Sequence, residues 1–356
     1  MYKYNPVVSV VLTSYNHRKY IAEAIESILN QSYERLEVII VDDGSRDGSA
    51  DVISKFRDPR IKFLQIPNLG PSEAMNAGVL ESKGEYVALM TSDDRSAKQR
   101  IEKQMAVISE KGPDTVVFTW VTLIGEKGKR IYSREIDSGT VFNVANRSRG
   151  EILKWFFLKG NFLCGPSVLI NRENLLKLSS NGSINSQYLY QLQDLHLWIR
   201  LVSRYEFYIV EEPLFEFRMH GNNLSEITRE KFNALKTESF LIFDEFLAEI
   251  PDDIFNETFL PMLPGNQTKP IARPIAEAAL LLNSNQSYHR LLGIQRFFKL
   301  SKNPLLAKTF EERFGIDQRV MRKLLTTCKI FGYSALRLEG TKFINRARRA
   351  LERLRV

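Results

Sequence analysis

A chain of 356 residues, 44% of them hydrophobic, is long enough for one large domain with an appendage or for two domains, and it has the apolar content of a full core. No apolar run reaches the roughly 20 residues that span a bilayer; the longest candidate, Val116 to Ile124, is broken by Thr119 and Thr122, and the N-terminus lacks a charged-then-apolar leader, so the chain is expected to stay in the cytoplasm where it is made. Cys164 and Cys328 have no metal-type spacing and are expected to be buried free thiols, and the net charge of +8 is concentrated from Arg319 onward, where eleven basic residues face two acids and leave the remainder close to neutral.

In chain order, Val7 to Leu12 is a Val-rich buried strand between Pro6 and Thr13-Ser14-Tyr15-Asn16, and Tyr20, Ile21, Ala24, Ile25, Ile28 and Leu29 recur at helical spacing after it. Val38 to Val41 is a second strand, followed by a turn at Gly44 and Gly48 and a helix capped by Ser45 or Asp47 and running toward Phe56. Ile61 to Gln65 is a third strand. Gly70-Pro71 opens a helix that Gly84 closes, and Tyr86 to Met90 is a fourth strand. An amphipathic helix over Lys98 to Glu110 and a strand over Thr115 to Thr119 complete a βαβ rhythm, which predicts an α/β fold with a mostly parallel sheet covered by helices. Beyond Trp120 the pattern mixes. It reads as a hairpin turn at Gly125 to Gly128, a helix over Gly150 to Leu158, a strand over Ser167 to Ile170 and a helix over Gln193 to Val202. A strand over Phe207 to Val210 and an extended return over Pro213 to His220 follow. From Thr228 the sequence is largely helical with proline breaks, which sets a boundary near Ile227: a first domain over 1–227 and a helical C-terminal region with a basic tail over 228–356.

Two of the buried strands end in paired acids, Asp42-Asp43 and Asp93-Asp94. Ligands of open α/β sheets bind beyond the carboxyl ends of the strands. Carboxylates crowded there repel unless a divalent cation or a donor-rich ligand lies between them. No GxGxxG, GxxxxGK[ST] or HExxH is present, so the usual dinucleotide fold, P-loop NTPases and zincins are disfavoured. What remains suits a nucleotide held by acids. Asp43 offers an acceptor to a uracil or thymine imide N–H or to a ribose hydroxyl, Tyr15 offers a face to a base, and Asp93 and Asp94 suit a Mg2+ or Mn2+ that bridges diphosphate oxygens. Either acid pair alone reads equally as turn and helix caps; two pairs, each after a buried strand, favour function.

The segments Val8 to Asn16, Ser27 to Ser32, Val41 to Ser45, Gly84 to Ala88 and Ser92 to Asp94, in this order, resemble the family 2 glycosyltransferases of the GT-A fold over about residues 5 to 225. The resemblance implies inverting transfer of a sugar from a nucleotide diphosphate donor, a UDP-sugar above all, to a hydroxyl acceptor on a glycan, glycolipid or other molecule. It also implies a divalent metal and a place in bacterial surface polysaccharide or lipopolysaccharide synthesis. It divides the first domain into a nucleotide-binding part (1–120) and an acceptor and catalytic part (121–227). Thr13, Tyr15 and Asp43 match the family's base and ribose contacts, and Ser92-Asp93-Asp94 matches its metal and diphosphate motif, with Thr91 where many members carry an acid. Asp194 matches the catalytic base, with Gln193 in place of the usual Glu; read alone, it is more readily an N-cap or first-turn helix charge than a base. Arg218 matches a segment that closes over the donor phosphates, and His220 is a third metal ligand, a phosphate donor or a structural residue. His17 and His289 receive no role, and Trp120, Trp155 and Trp198 are expected in the core, with Trp155 also able to stack on an acceptor.

The tail from Lys342 to Val356 reads as a basic helix with a narrow apolar stripe. It suits an anionic cytoplasmic membrane face or packing on its own domain; without interleaved aromatics it does not suit nucleic acid. Two rivals to a glycosyltransferase are a sugar nucleotidyltransferase, which usually carries a glycine- and lysine-rich loop absent here, and a non-catalytic sugar-nucleotide binding protein.

Overall fold

The computed structural model describes residues 5–137, 139, 141–179, 183–221, 229–264 and 270–327. The basic tail and Cys328 lie outside these residues, as do positions 222–225 of the segment 217–225 expected to close over the phosphates.

The strands are β1 (Val8–Ser14), β2 (Leu36–Asp43), β3 (Ile61–Ile66), β4 (Tyr86–Thr91), β5 (Arg95–Ser96), β6 (Val116–Gly125), β7 (Leu169–Asn171) and β8 (Phe207–Met219). They form one sheet in the order β3-β2-β1-β4-β7-β6-β8-β5. β1, β2, β3 and β4 are mutually parallel, as are β6 and β8, whereas β7 runs antiparallel to both β4 and β6 and β5 antiparallel to β8. The mostly parallel α/β sheet expected from the βαβ rhythm is present. The antiparallel β7 was not foreseen, because three residues carry no periodicity that fixes a direction.

The helices that precede β8 in the chain are α1 (Ile21–Leu29), α2 (Ser49–Ile53), α3 (Pro71–Glu81), α4 (Arg100–Lys111), α5 (Arg134–Asp137), α6 (Arg149–Lys159), α7 (Arg172–Lys177) and α8 (Gln193–Val202). Successive strand residues point to opposite faces. Val8, Val10 and Leu12 of β1 join Ile21, Ile25 and Ile28 of α1 and Ile101, Met105 and Ile108 of α4 in one apolar cluster. Val11 points the other way, to α3. Gly78 of α3 lets that helix lie against the sheet, since a Cβ there would sit 2.3 Å from Val11 Cγ1. Trp198 of α8 meets Phe118 of β6 edge to face at 5.0 Å. A sheet covered on both faces explains why its central strands read as unbroken apolar runs.

Two extended pieces separated at Glu211-Glu212 were expected near the end of the first domain; instead β8 is one strand of 13 residues. Its register against β6 slips around Trp120, where Pro213 is the partner, so the residue without an N–H sits at an irregularity.

The described residues group into two compact units, one of 5–149 and 161–221, the other of 150–160 and 229–327. The second unit holds nearly all of α6 together with α9 (Arg229–Phe246), α10 (Asp252–Thr258), α11 (Arg273–Leu282), α12 (Ser287–Leu300), α13 (Pro304–Phe314) and α14 (Gln318–Thr327). Its core is aromatic: His289 stacks on Phe157 at 4.2 Å and meets Phe243 edge-on at 4.5 Å. His289 also shares a 2.8 Å hydrogen bond with Ser284, and burial pushes its imidazole from 6.5 down to about 3. The unfolded chain therefore takes up a proton below pH 6.5 that the folded one refuses down to about pH 3, so stability falls across that window as pH drops. Replacing His289 with Phe is expected to flatten this acid limb by about one proton in melting temperature against pH; parallel profiles for the two proteins would reject it.

Among the described residues, no helix is long and apolar enough to cross a membrane.

Candidate active site

The site follows from strand adjacency. Ser14 pairs with Asp42 and Thr13 with Thr91, so the carboxyl ends of β2, β1 and β4 finish side by side, with β2 and β4 about 10 Å apart across β1. β7 enters at the same edge because it is antiparallel: Leu169 pairs with Ala88, and the 3-10 turn Gly165–Ser167 lies just before β7. Asp43, Asp93, Asp94 and the turn that meets Asp194 thus line one edge in the order β2, β4, β7.

At the β2 end, Asp43 is buried and its two oxygens accept the N–H groups of Leu69 (2.8 Å) and Gly70 (2.9 Å). Burial raises its carboxyl, with those two donors opposing. Asp42 is turned to Ser45, accepting from its hydroxyl at 2.5 Å and its N–H at 3.1 Å, so it is the turn-capping member of the first pair. Thr13 is half-buried, and Tyr15 is exposed beyond it. The loop after Tyr15 is tied to the β2 end by Asn16, whose N–H donates to Ser45 Oγ and whose side chain accepts the Arg46 N–H, each at 2.8 Å.

At the β4 end the two acids part. Asp93 Oδ2 is 3.0 Å from His220 Nε2, and its Oδ1 is 3.8 Å from Nδ1 of His17. Burial works to raise the Asp93 carboxyl, but the His220 hydrogen bond and the two imidazoles prevail and hold it below the ordinary carboxylate range. Asp94 points inward. It accepts the Thr91 hydroxyl and, at 2.7 Å, the backbone N–H of Arg218. Burial, then the neighbouring Asp93 charge, push it well above the usual range. Of two adjacent carboxyls with opposite shifts, Asp93 is the one that gives up its proton more readily and Asp94 the one that holds it more tightly. Asp94, expected as a metal ligand, thus has its oxygens engaged within the fold, and among the described residues the cluster able to hold an ion is His17, Asp93 and His220.

Arg218 also differs from expectation. Its guanidinium is fully buried and donates to the carbonyls of Asp93 (2.6 Å), Gly125 (3.2 Å) and Glu126 (3.0 Å) and to Glu23 (2.7 Å). It also lies over the Tyr20 ring at 4.8 Å. These hydrogen bonds tie the end of β8 to the segment after β4, to the end of β6 and to α1.

Asp194 is the second residue of α8, and its Oδ2 would be 2.5 Å from a Cβ on Gly165, so only glycine leaves it room. No described residue donates a hydrogen bond to it, and burial alone pushes its carboxyl up to about 6. The Cys164 thiol, buried and free, is raised by burial and by both Asp94 and Asp194, which puts the two acids within electrostatic reach of one group. Two polar atoms near these residues, Ser14 Oγ and Gln193 Oε1, are buried with no hydrogen-bond partner among the described residues.

His17 was overlooked. It stands two residues beyond Tyr15 at the same strand end, so the reasoning that singled out Tyr15 applied to it. Arg100 was overlooked as well. It is fully buried, donates to the Leu89 and Val168 carbonyls at 3.1 Å each, and props β4 and the start of β7 from below. Trp198 is in the core as expected, while Trp155 is half-buried on α6, in the second unit, with Lys159 over its ring at 3.8 Å.

The model of the Glycosyl transferase family 2 matches residues 9–178. An uncharacterized glycosyltransferase of Methanocaldococcus jannaschii is 32% identical over 240 residues, which cover 65% of this chain and 78% of that one. The chain belongs to glycosyl transferase family 2. A Bacillus subtilis relative named as a candidate teichuronic acid biosynthesis glycosyltransferase, TuaG, is 30% identical over 245 residues, covering 68% of this glycosyltransferase and 89% of TuaG. Crystal structures of S. aureus TarS 1-349 with UDP and with UDP-GlcNAc superpose with TM-scores of 0.52 and 0.54 at 19% and 18% identity, covering 86% of this chain and 90% of theirs. At that identity the likeness is one of fold, and it agrees with the GT-A architecture and the family expected from the sequence motifs.

Proposed function

We propose that this glycosyltransferase moves a sugar from a UDP-sugar to a hydroxyl of a surface polysaccharide or its precursor, with inversion at the anomeric carbon. The observation that carries the reading is Asp194: a carboxylate with no donor among the described residues, raised to about 6, at the sheet edge that also holds Asp93. Such a group is tuned to accept a proton near neutral pH. Asp194 takes the proton of the acceptor hydroxyl while that oxygen forms a bond to the anomeric carbon. The bond from that carbon to the diphosphate breaks on the opposite face, and the nucleoside diphosphate leaves with the electron pair.

Tyr15 and Thr13 receive the base. Asp43 fastens the Leu69–Gly70 backbone beside it and keeps lone pairs for a ribose hydroxyl or an imide N–H. The ionised Asp93 and the His220 imidazole fit a divalent cation, Mn2+ or Mg2+, which when bound supplies positive charge against the departing diphosphate. The choice of UDP is supported by the ligands named for TarS, and the polysaccharide acceptor by the name of TuaG.

Melting the protein with a panel of UDP-, GDP- and dTDP-sugars in Mn2+ tests the reading. A UDP-sugar at 100 times its Kd is expected to stabilise by about 2.7 kcal/mol, to lose that effect in EDTA, and to release UDP when a suitable acceptor is added. Preferential stabilisation by another base, or release of pyrophosphate, would overturn it.

A further inference from the structure

We propose that His17 is a third ligand of the divalent cation, supplying the donor that Thr91 does not, and that the resulting set of two imidazoles and one carboxylate selects Mn2+ over Mg2+. The proposal rests on the reading of Asp93 and His220 as cation ligands and adds to it a ligand and a selectivity.

The three side chains come from three strand ends: His17 follows β1, Asp93 follows β4 and His220 follows β8. One ligand atom from each lies within 4.8 Å of the others. Donors held roughly 2.1 Å from one ion lie about 3 Å apart when adjacent and about 4 Å apart when opposite, so the cluster needs only a small contraction to close on an ion. The His17 backbone is fixed. Its N–H donates to Ser49 Oγ at 3.1 Å, and its carbonyl accepts the N–H groups of Tyr20 and Ile21 at 2.9 Å each, where α1 begins. The ring is set by Ser92 Oγ, 2.8 Å from Nδ1, and stands nearly perpendicular to the His220 ring at 5.6 Å. On the other side, the Tyr20 ring stacks on His220 at 5.1 Å. The His17 side chain keeps 20% of its surface exposed, against 4% for His220, so the cluster opens to solvent on the His17 side.

Asp94, Asp42 and Asp43, the other acids at the β4 and β2 ends, accept hydrogen bonds from Thr91 and Arg218, from Ser45, and from Leu69 and Gly70 respectively, and leave this position to an imidazole. The choice of donor changes the metal. Mg2+ prefers an all-oxygen octahedron and dehydrates reluctantly, whereas imidazole nitrogen favours transition ions. Three protein donors leave about three of six positions for diphosphate oxygens and water.

Pulsed electron paramagnetic resonance of the Mn2+-loaded full chain counts the coordinated imidazoles directly, without turnover. Two 14N couplings are expected in the unaltered protein, one in His17→Ala and one in His17→Gln, which keeps a polar side chain facing Ser92. Calorimetry is expected to show Mn2+ affinity falling about tenfold or more in both variants, with Mg2+ affinity much less affected. A single coupling in the unaltered protein that vanishes only in His220→Ala would overturn the role of His17 and leave the cation reading intact. No nitrogen coupling at all in the unaltered protein would overturn both.

Discussion

Replacing Asp194 with Asn is expected to lower turnover by roughly 100- to 10,000-fold, the usual worth of a positioned general base. Affinity for UDP is expected to stay close to that of the unaltered enzyme, because in the proposed role the residue addresses the acceptor hydroxyl. The pH dependence carries a further signature. The carboxyl is raised from 3.8 to about 6 by burial, and only its ionised form accepts a proton, so kcat/KM should rise with pH up to about 6 and level off above it. The Asn variant should lose this limb.

The same shift has the opposite sign for stability. An acid whose folded pKa lies above its unfolded value weakens the fold at pH values where it is ionised, here by up to about 3 kcal/mol for a shift from 3.8 to about 6. The Asn variant should therefore melt higher than its parent at pH 8 and no higher at pH 4, where both carry a neutral side chain. Loss of activity together with a gain in stability marks a functional group held at a cost to the fold. Continuous assay of UDP release against pH, with melting curves at the two pH values, checks both. Turnover within tenfold of the parent would remove Asp194 from the role of base.

The parts of this site that the sequence reveals are those in which chain order and spatial order coincide. Asp43 and Asp93 end apolar runs, and a run of Val and Ile that stops at an acid marks a strand end whether or not its neighbours are known. Asp194 opens a helix with a strong apolar face, so its position on that helix was legible, and its role came from the company of the other motifs. What remained hidden depends on partners far away in sequence. The split between Asp93 and Asp94 is made by His220 and the Arg218 backbone, each more than 120 residues away. Arg218 lies between Phe217 and Met219 in an extended segment, where a lone charge reads as facing solvent or ligand; its partners Glu23 and Gly125 show that it faces inward. The three-residue β7 is too short for a period, yet its direction brings the Gly165 turn, and with it Asp194, to the edge where Asp93 lies. Likewise α6 reads as an ordinary helix of the first domain, and only its packing assigns nearly all of it to the second unit.

Arg218→Met is expected to destabilise the sheet-bearing unit by about 3–5 kcal/mol, the cost of removing one partner from a buried charged network. Little of this comes from Glu23, whose side chain is 47% exposed and whose ion pair is screened. Most comes from the carbonyls of Asp93, Gly125 and Glu126, which would lose a charged donor in a place where the side chain is fully buried. Arg218→Lys separates this account from a phosphate-binding one. A lysine keeps the charge and would serve a diphosphate nearly as well, but it lacks the planar fork that reaches three carbonyls and a carboxylate at once. Lys is therefore expected to recover less than half of the stability that Met loses. UDP affinity, measured on the folded fraction of either variant, should change less than the denaturation midpoint implies. Urea titrations followed by fluorescence, with UDP calorimetry on the same preparations, decide the matter. A Lys variant as stable as the parent, or a Met variant that melts normally but no longer binds UDP, would return Arg218 to the donor phosphates.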